Sequence, residues 1–177
     1  IGFIPVVVGL FAISEMLTQS TLLNQVFKRV ALKAVRLPTL EDYKLTWKTI
    51  LRSSGIGSFI GVLPAEGGTV ASLIGYSEAK RWSKKPEEFG KGSIEGIAGA
   101  EAANNSATGG AMVPTLALGI PGSATTAVIL TGLIIHGVRP GPDLFREQPE
   151  FLYGIFGSML IANIMFFVLG FFGAKIF

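Results

Sequence analysis

The chain has 177 residues, a mean hydropathy of +0.54, and 15% charged against 49% hydrophobic residues, a composition that excludes an ordinary water-soluble domain and points to a lipid bilayer. Cysteine is absent, which excludes disulfides and thiolate metal sites. The net charge of +3 sits in polar connections, where it reads as a membrane-topology signal rather than a nucleic-acid footprint.

Residues 1–17 (IGFIPVVVGLFAISEML) are apolar as far as Ile13 and predict the later part of a transmembrane helix, with Pro5 tolerable near a helix start or as a kink. Because the run is already apolar at Ile1 and no basic region or cleavage site marks a signal peptide, the chain is expected to be a piece of a longer protein. Residues 18–54 form a polar connection carrying Lys28, Arg29, Lys33, Arg36, Lys44, Lys48 and Arg52 against Glu41 and Asp42. Thr39 followed by Asp42 is a variant capping box. Leu40, Tyr43, Trp47, Ile50 and Leu51 then recur at helical spacing, which predicts an amphipathic helix lying on the cytoplasmic face.

Residues 55–76 are apolar but interrupted at Pro64-Ala-Glu-Gly-Gly68, leaving arms of about nine residues, too short to cross a bilayer. The basic excess among residues 77–91 puts both ends in the cytoplasm, and a re-entrant hairpin is expected. Residues 92–112 predict a helix crossing outward, with small residues at Gly92, Gly96 and Ala100 and again at Ala103, Ala107 and Ala111, a spacing that permits close helix approach in lipid. Residues 113–138 predict a second re-entrant hairpin entering from outside, followed by a loop with an acidic excess. Residues 151–174, uncharged, predict a full span returning inward to Lys175. The expected fold class is therefore an all-α membrane protein, one polytopic domain with transmembrane helices and two opposed re-entrant broken-helix hairpins.

Between Glu101 and Arg139 there is no Asp, Glu, Lys or Arg. One helix over that stretch would run about 55 Å, against a hydrocarbon core of about 30 Å, and Pro114, Gly119, Pro121 and Gly122 interrupt it. Broken helices at membrane depth occur where backbone lines a cavity, and in transporters substrates and ions bind there. The two breaks are alike: Pro64 and Pro121 each stand five residues before a threonine, Thr69 and Thr126, between apolar arms.

Ser123 is placed to cap the helix after the second break. With Gly119, Pro121, Gly122, Thr125 and Thr126 it forms a candidate carboxylate seat, because free N–H groups and the positive dipole end would face the break. A bare structural cap and turn is the competing reading. Asn104 and Asn105 offer amides that can coordinate sodium or bond a carboxylate, although asparagine also serves as interhelical glue. Asn105 joins the substrate set. Glu101, Asn104, Asn105, Gly67, Gly68 and Thr69 form the candidate ion set, with Glu101 and Asn105 on one helical face. Among the carboxylates at or near membrane depth, Glu101 is preferred, Glu66 is open, and Glu95 is read as a helix-end residue. His136 stands alone and reads as interfacial, so no metal site beyond a sodium ion is expected. Arg139-Pro-Gly-Pro142 reads as a loop terminator.

The stretch EGIAGAEAANNSATGGAMVPTLALGIPGSATTAVILTGLIIHGVRPGPDLF resembles the large membrane subunit of the tripartite tricarboxylate transporters, the TctA-like proteins. EAANN followed by GIPGSATTA carries the resemblance most specifically, and IGVLPAEGGTVASLIGYSEAKR extends it more weakly upstream. The resemblance implies part of the second half of a bacterial, multi-pass inner-membrane subunit. It implies import of a carboxylate such as citrate, driven by a sodium or proton gradient, with no other cofactor. It further implies two partners, an extracytoplasmic solute-binding protein and a small membrane subunit, and no nucleic acid. Where the family pattern has Pro-Gly-x-Gly, this chain has Pro64-Ala65-Glu66-Gly67, so roles at that break do not carry over directly. The alternatives are an ion channel or an anion transporter of another family with re-entrant hairpins. An enzyme is not expected, since HExxH and GxSxG are missing.

Overall fold

The computed structural model describes residues 38–64 and 67–176, with Leu17 alone before them, and the side chains as far as residue 173. The expected helix end at 1–17 and the connection up to residue 37 lie outside the described residues, as does Glu66. The chain divides into two units, residues 1–35 and 36–177, and every helix below belongs to the second. Its described residues form α1 (Leu40–Val62), α2 (Gly67–Trp82), α3 (Ile94–Leu118), α4 (Ala124–Ile135), the short α5 (Leu144–Glu147) and α6 (Pro149–Ile176), with no strand among them. The protein is an all-α membrane protein. Residues 149–173 of α6 are long and apolar enough to cross a bilayer.

Thr39 starts α1 through a full capping box: its hydroxyl accepts from the Asp42 amide, and the Asp42 carboxylate accepts from the Thr39 amide at 2.8 Å. The helix then runs unbroken to Val62. The expected surface helix and the expected first hairpin arm are thus one helix of 23 residues, about 35 Å long. Nothing between Ser53 and Gly57 stops it, because a glycine inside a helix costs only about 1 kcal/mol, which packing can offset.

The packed face of α1 also differs from the amphipathic reading. Thr46, Thr49, Ser53, Gly57, Ile60 and Gly61 are buried, whereas Leu40, Tyr43, Trp47 and Leu51 are exposed. This reversal suits lipid, which is as apolar as leucine and gives no drive to bury it; small residues instead let backbones approach.

The partner of that face is α3. Ala103, Ala107 and Ala111 are all but fully buried. A Cβ added at Gly57 would collide with the Ala103 carbonyl, one at Gly61 with that of Ala107, and one at Gly110 with that of Ser58. On its other side α3 meets α2 through Gly75, Ala79 and Gly99. The stripe expected at Gly92, Gly96 and Ala100 is only partly used, because Gly92 lies before the helix with φ +100° and Ser93 caps α3 by accepting from the Gly96 amide.

At its far end α3 passes through Pro114 to Leu118, beyond the expected limit at residue 112. Proline removes one ladder bond, and membrane helices tolerate this where side chains re-engage the backbone. The carbonyl left without its ladder partner is that of Gly110, and one residue further on the Thr115 hydroxyl donates to the Ala111 carbonyl at 2.6 Å. The expected first arm of the second hairpin is therefore the end of α3. A second core, with Met112, Leu116, Leu133, Val138, Leu144 and Leu152, ties this end of α3 to α4, α5 and α6.

Candidate functional site

Two interruptions position the site. In the first, α1 ends at Leu63, whose amide donates to the Ile60 carbonyl at 3.0 Å, and α2 begins at Gly67. In the second, Gly119 ends α3 in the left-handed region, φ +69°, where its amide and that of Ile120 both donate to the Pro114 carbonyl. The chain then turns through Pro121 and Gly122. The Gly122 amide donates to Thr115 Oγ1 at 3.3 Å, and a Cβ here would lie 2.8 Å from Ala111 Cα. The turn is thus pressed against the α3 wall so closely that glycine is required.

Ser123 then caps α4. Its hydroxyl accepts from the Thr126 amide at 3.2 Å, and its own amide donates to Thr126 Oγ1 at 2.8 Å. The reciprocal pair satisfies the amides of Ser123 and Thr126. Those of Ala124 and Thr125 find no acceptor among the described residues and form the positive end of the helix.

The two post-break helices start side by side. A Cβ on Gly67 would be 3.4 Å from Ser123 Cβ, and one on Gly68 would be 2.6 Å from Asn104 Oδ1. Together they enclose a cavity of about 310 Å³. Gly67, Gly68 and Thr69 line it from α2, Asn104, Ala107, Thr108 and Ala111 from α3, and Ser123 and Thr125 from the α4 start. Asn104, Thr69, Thr108 and Thr125 are exposed to the cavity mouth. None of these lining side chains is titratable, and their polar atoms are amide and hydroxyl groups. Such a set can donate hydrogen bonds to an anion from two helix starts and offer neutral oxygens to a cation.

The structure brings together Gly67, Gly68, Thr69, Asn104, Ser123 and Thr125. Thr126 is buried behind them as the capping partner, and Gly119, Pro121 and Gly122 shape the turn. Asn105 and Glu101 stand apart. The Asn105 amide donates to the Glu101 carbonyl of its own helix at 2.9 Å, and Asn105 lines a different groove with Asn163 and Phe166 of α6. Glu95 sits in the first turn of α3, where it accepts from Ser83 Oγ at 2.6 Å. His136 ends α4 and is exposed. Thr108 is the residue that sequence reasoning passed over; it follows Asn104 by four positions and so shares its helical face.

Paired helix breaks opening on one cavity, whose described lining carries no charged side chain, define a broken-helix membrane protein. The chain belongs to the Tripartite tricarboxylate transporter TctA family, whose family model matches residues 1–177. It is 39% identical over 171 residues to an "uncharacterized 52.8 kDa protein in TAR-I ttuC' 3'region" of Agrobacterium vitis, covering 96% of this chain and 34% of that protein. It is 46% identical over 113 residues to an "uncharacterized protein in TAR-II ttuC' 3'region" of the same organism, covering 64% of this chain and 47% of that one. The chain thus spans about a third to a half of the length of these relatives. No solved structure matches it.

Proposed function

We propose that the chain forms the substrate and ion site of the large membrane subunit of a binding-protein-dependent tricarboxylate importer. The observation that carries this reading is the convergence of both helix starts, with Asn104 and Thr108, on a single cavity. Its volume lies at the lower end of the range for small-molecule sites, about 300–1,000 Å³. A substrate carboxylate meets the free amides of Ala124 and Thr125 and the hydroxyl of Thr125, where the helix dipole favours negative charge. A sodium ion takes the neutral oxygens of Asn104, Thr108 and the breaks, beside the substrate whose charge it offsets. The two breaks would dip from opposite faces of a bacterial inner membrane, and relative movement of the helices that follow them would switch access. An extracytoplasmic binding protein delivers the substrate, and a small membrane subunit completes the system. The role is transport rather than catalysis.

The test is uptake of labelled citrate into vesicles holding the full-length subunit and its small partner. Binding protein and an inward sodium gradient are each supplied or withheld. Uptake that requires both is expected. Passive, non-saturating flux would mean a channel instead, and sodium-indifferent uptake would remove the cation from this cavity.

A further inference from the structure

A second cavity, of about 570 Å³, opens at the opposite end of the same helices, where the first half of α1, the end of α2 and the start of α3 meet. Lys44, Lys48 and Arg52 line it at four-residue steps along α1, and Lys84 and Lys85 join them from the loop after α2. The carboxylate in this lining, Glu95, is already engaged by Ser83 and, at 3.4 Å, by Thr49. Lys85 bonds Glu88 at 3.0 Å. Lys44, Lys48, Arg52 and Lys84 form no ion pair among the described residues, so cations outnumber the Glu95 carboxylate in the groove and its net charge is positive.

Two further features narrow what fits there. The Arg52 guanidinium lies 5.3 Å from the centroid of the Trp82 ring, and its Nε–H is buried without an acceptor. Both tryptophans of the chain flank the groove, each more than half exposed, with Lys48 Nζ 5.5 Å from the ring of Trp47. Tryptophan settles at headgroup depth in a bilayer, and basic pockets between membrane helices take anionic headgroups. Exposed Leu40 and Leu51 continue the apolar surface along α1.

We infer that this groove binds the phosphate of an anionic phospholipid headgroup, with the lipid's apolar part against Trp47, Trp82 and the neighbouring leucines. The cations alone would suit a free phosphate equally well. The exposed aromatic and aliphatic rim favours a ligand that carries its own apolar half.

The experiment uses the full-length protein in a zwitterionic detergent, titrated with phosphatidylglycerol, phosphatidylcholine, inorganic phosphate or glycerophosphoglycerol while its unfolding temperature is followed. Phosphatidylglycerol is expected to raise that temperature, and the other three to leave it unchanged. In the double variant K44Q/K84Q, whose lysines are exposed and make no hydrogen bond among the described residues, half-saturation should need on the order of 25-fold more phosphatidylglycerol, about fivefold for each lost cation. Arg52→Lys keeps the charge and gives up the guanidinium plane over Trp82; a several-fold weakening is expected. An unchanged response in K44Q/K84Q, or equal stabilisation by phosphatidylcholine, would overturn the inference. Equal stabilisation by inorganic phosphate would show a free-phosphate site and overturn the lipid assignment.

Discussion

Gly68 offers the sharpest separation of site from scaffold. Its position is in the first turn of α2, and the three atoms nearest to an added Cβ all belong to the Asn104 side chain, the closest being Oδ1 at 2.6 Å. No real contact of this kind is so short, but the obstacle is the tip of an amide that can rotate away. In Gly68→Ala the Asn104 amide leaves its place, at a cost of about 0.5–1.5 kcal/mol if it moves off its rotamer. The alanine returns about 1 kcal/mol of helix propensity. Net stability should therefore change little. Loss of one hydrogen bond or ligand to a charged species costs about 1.5–3 kcal/mol, or roughly 10- to 150-fold in half-saturation. The reference variant is Gly61→Ala, whose Cβ meets the Ala107 backbone rather than a movable tip, with overpacking of about 1–3 kcal/mol. Unfolding temperature and carboxylate uptake are measured on both. The expected pattern is a stable, poorly transporting Gly68→Ala and a destabilised Gly61→Ala. Wild-type uptake by Gly68→Ala would refute the placement of Asn104 in the site.

Other variants test the same cavity. Ser123→Ala removes half of the α4 capping box and should cost about 1 kcal/mol along with transport, whereas Ser123→Asp keeps a capping oxygen but puts a negative charge in the carboxylate seat; uptake should vanish while the unfolding temperature holds. Asn104→Ala should raise the sodium concentration for half-maximal uptake, and Asn105→Ala, turned onto its own helix, should not; sodium titrations of both would reverse the assignment if the order were inverted. Glu95→Ala removes the acceptor for Ser83 and Thr49 and a carboxylate that suits the α3 start, and should lower the unfolding temperature by an amount corresponding to about 1–3 kcal/mol without shifting substrate half-saturation.

The helix breaks were legible because proline and glycine act locally. Gly119 ends a helix in a left-handed turn and Ser123 begins one as a cap, so each carries its role in its own side chain or in the lack of one. The capping box at Thr39 and Asp42 could be read for the same reason. What the periodicity of α1 concealed was its direction. Leu40, Tyr43, Trp47 and Leu51 trace a helical stripe whichever way it faces, and in lipid that stripe turns outward while Thr49, Ser53 and Gly57 turn in. Pro114 misled because a proline removes a single ladder bond, and a helix held by packing, as α3 is through the buried Met112, Thr115 and Leu116, can run on past it. Asn104 and Asn105 are adjacent in sequence but lie about 100° apart around the helix, and only the packing of α3 against α2 and the α4 start decides which of them meets the cavity.

The chemistry of the lining bears on the coupling ion. A proton carried through this cavity would need a group there that gains and loses it near neutral pH, and Asn104, Thr69, Thr108, Ser123 and Thr125 have none. Glu101 lies outside the lining and His136 is at the far end of α4. A sodium ion needs only neutral oxygen atoms to replace its bound waters, which amide and hydroxyl groups supply without any change of protonation. Uptake driven by a sodium gradient should therefore hold within about twofold from pH 6 to 8, since none of the described lining side chains is titratable. The measurement is the initial rate of citrate uptake at saturating sodium, with external pH varied and the citrate trianion concentration held constant. A rate that follows the proton gradient when sodium is absent would place the coupling on a group other than these lining side chains and refute the cation role assigned to Asn104 and Thr108.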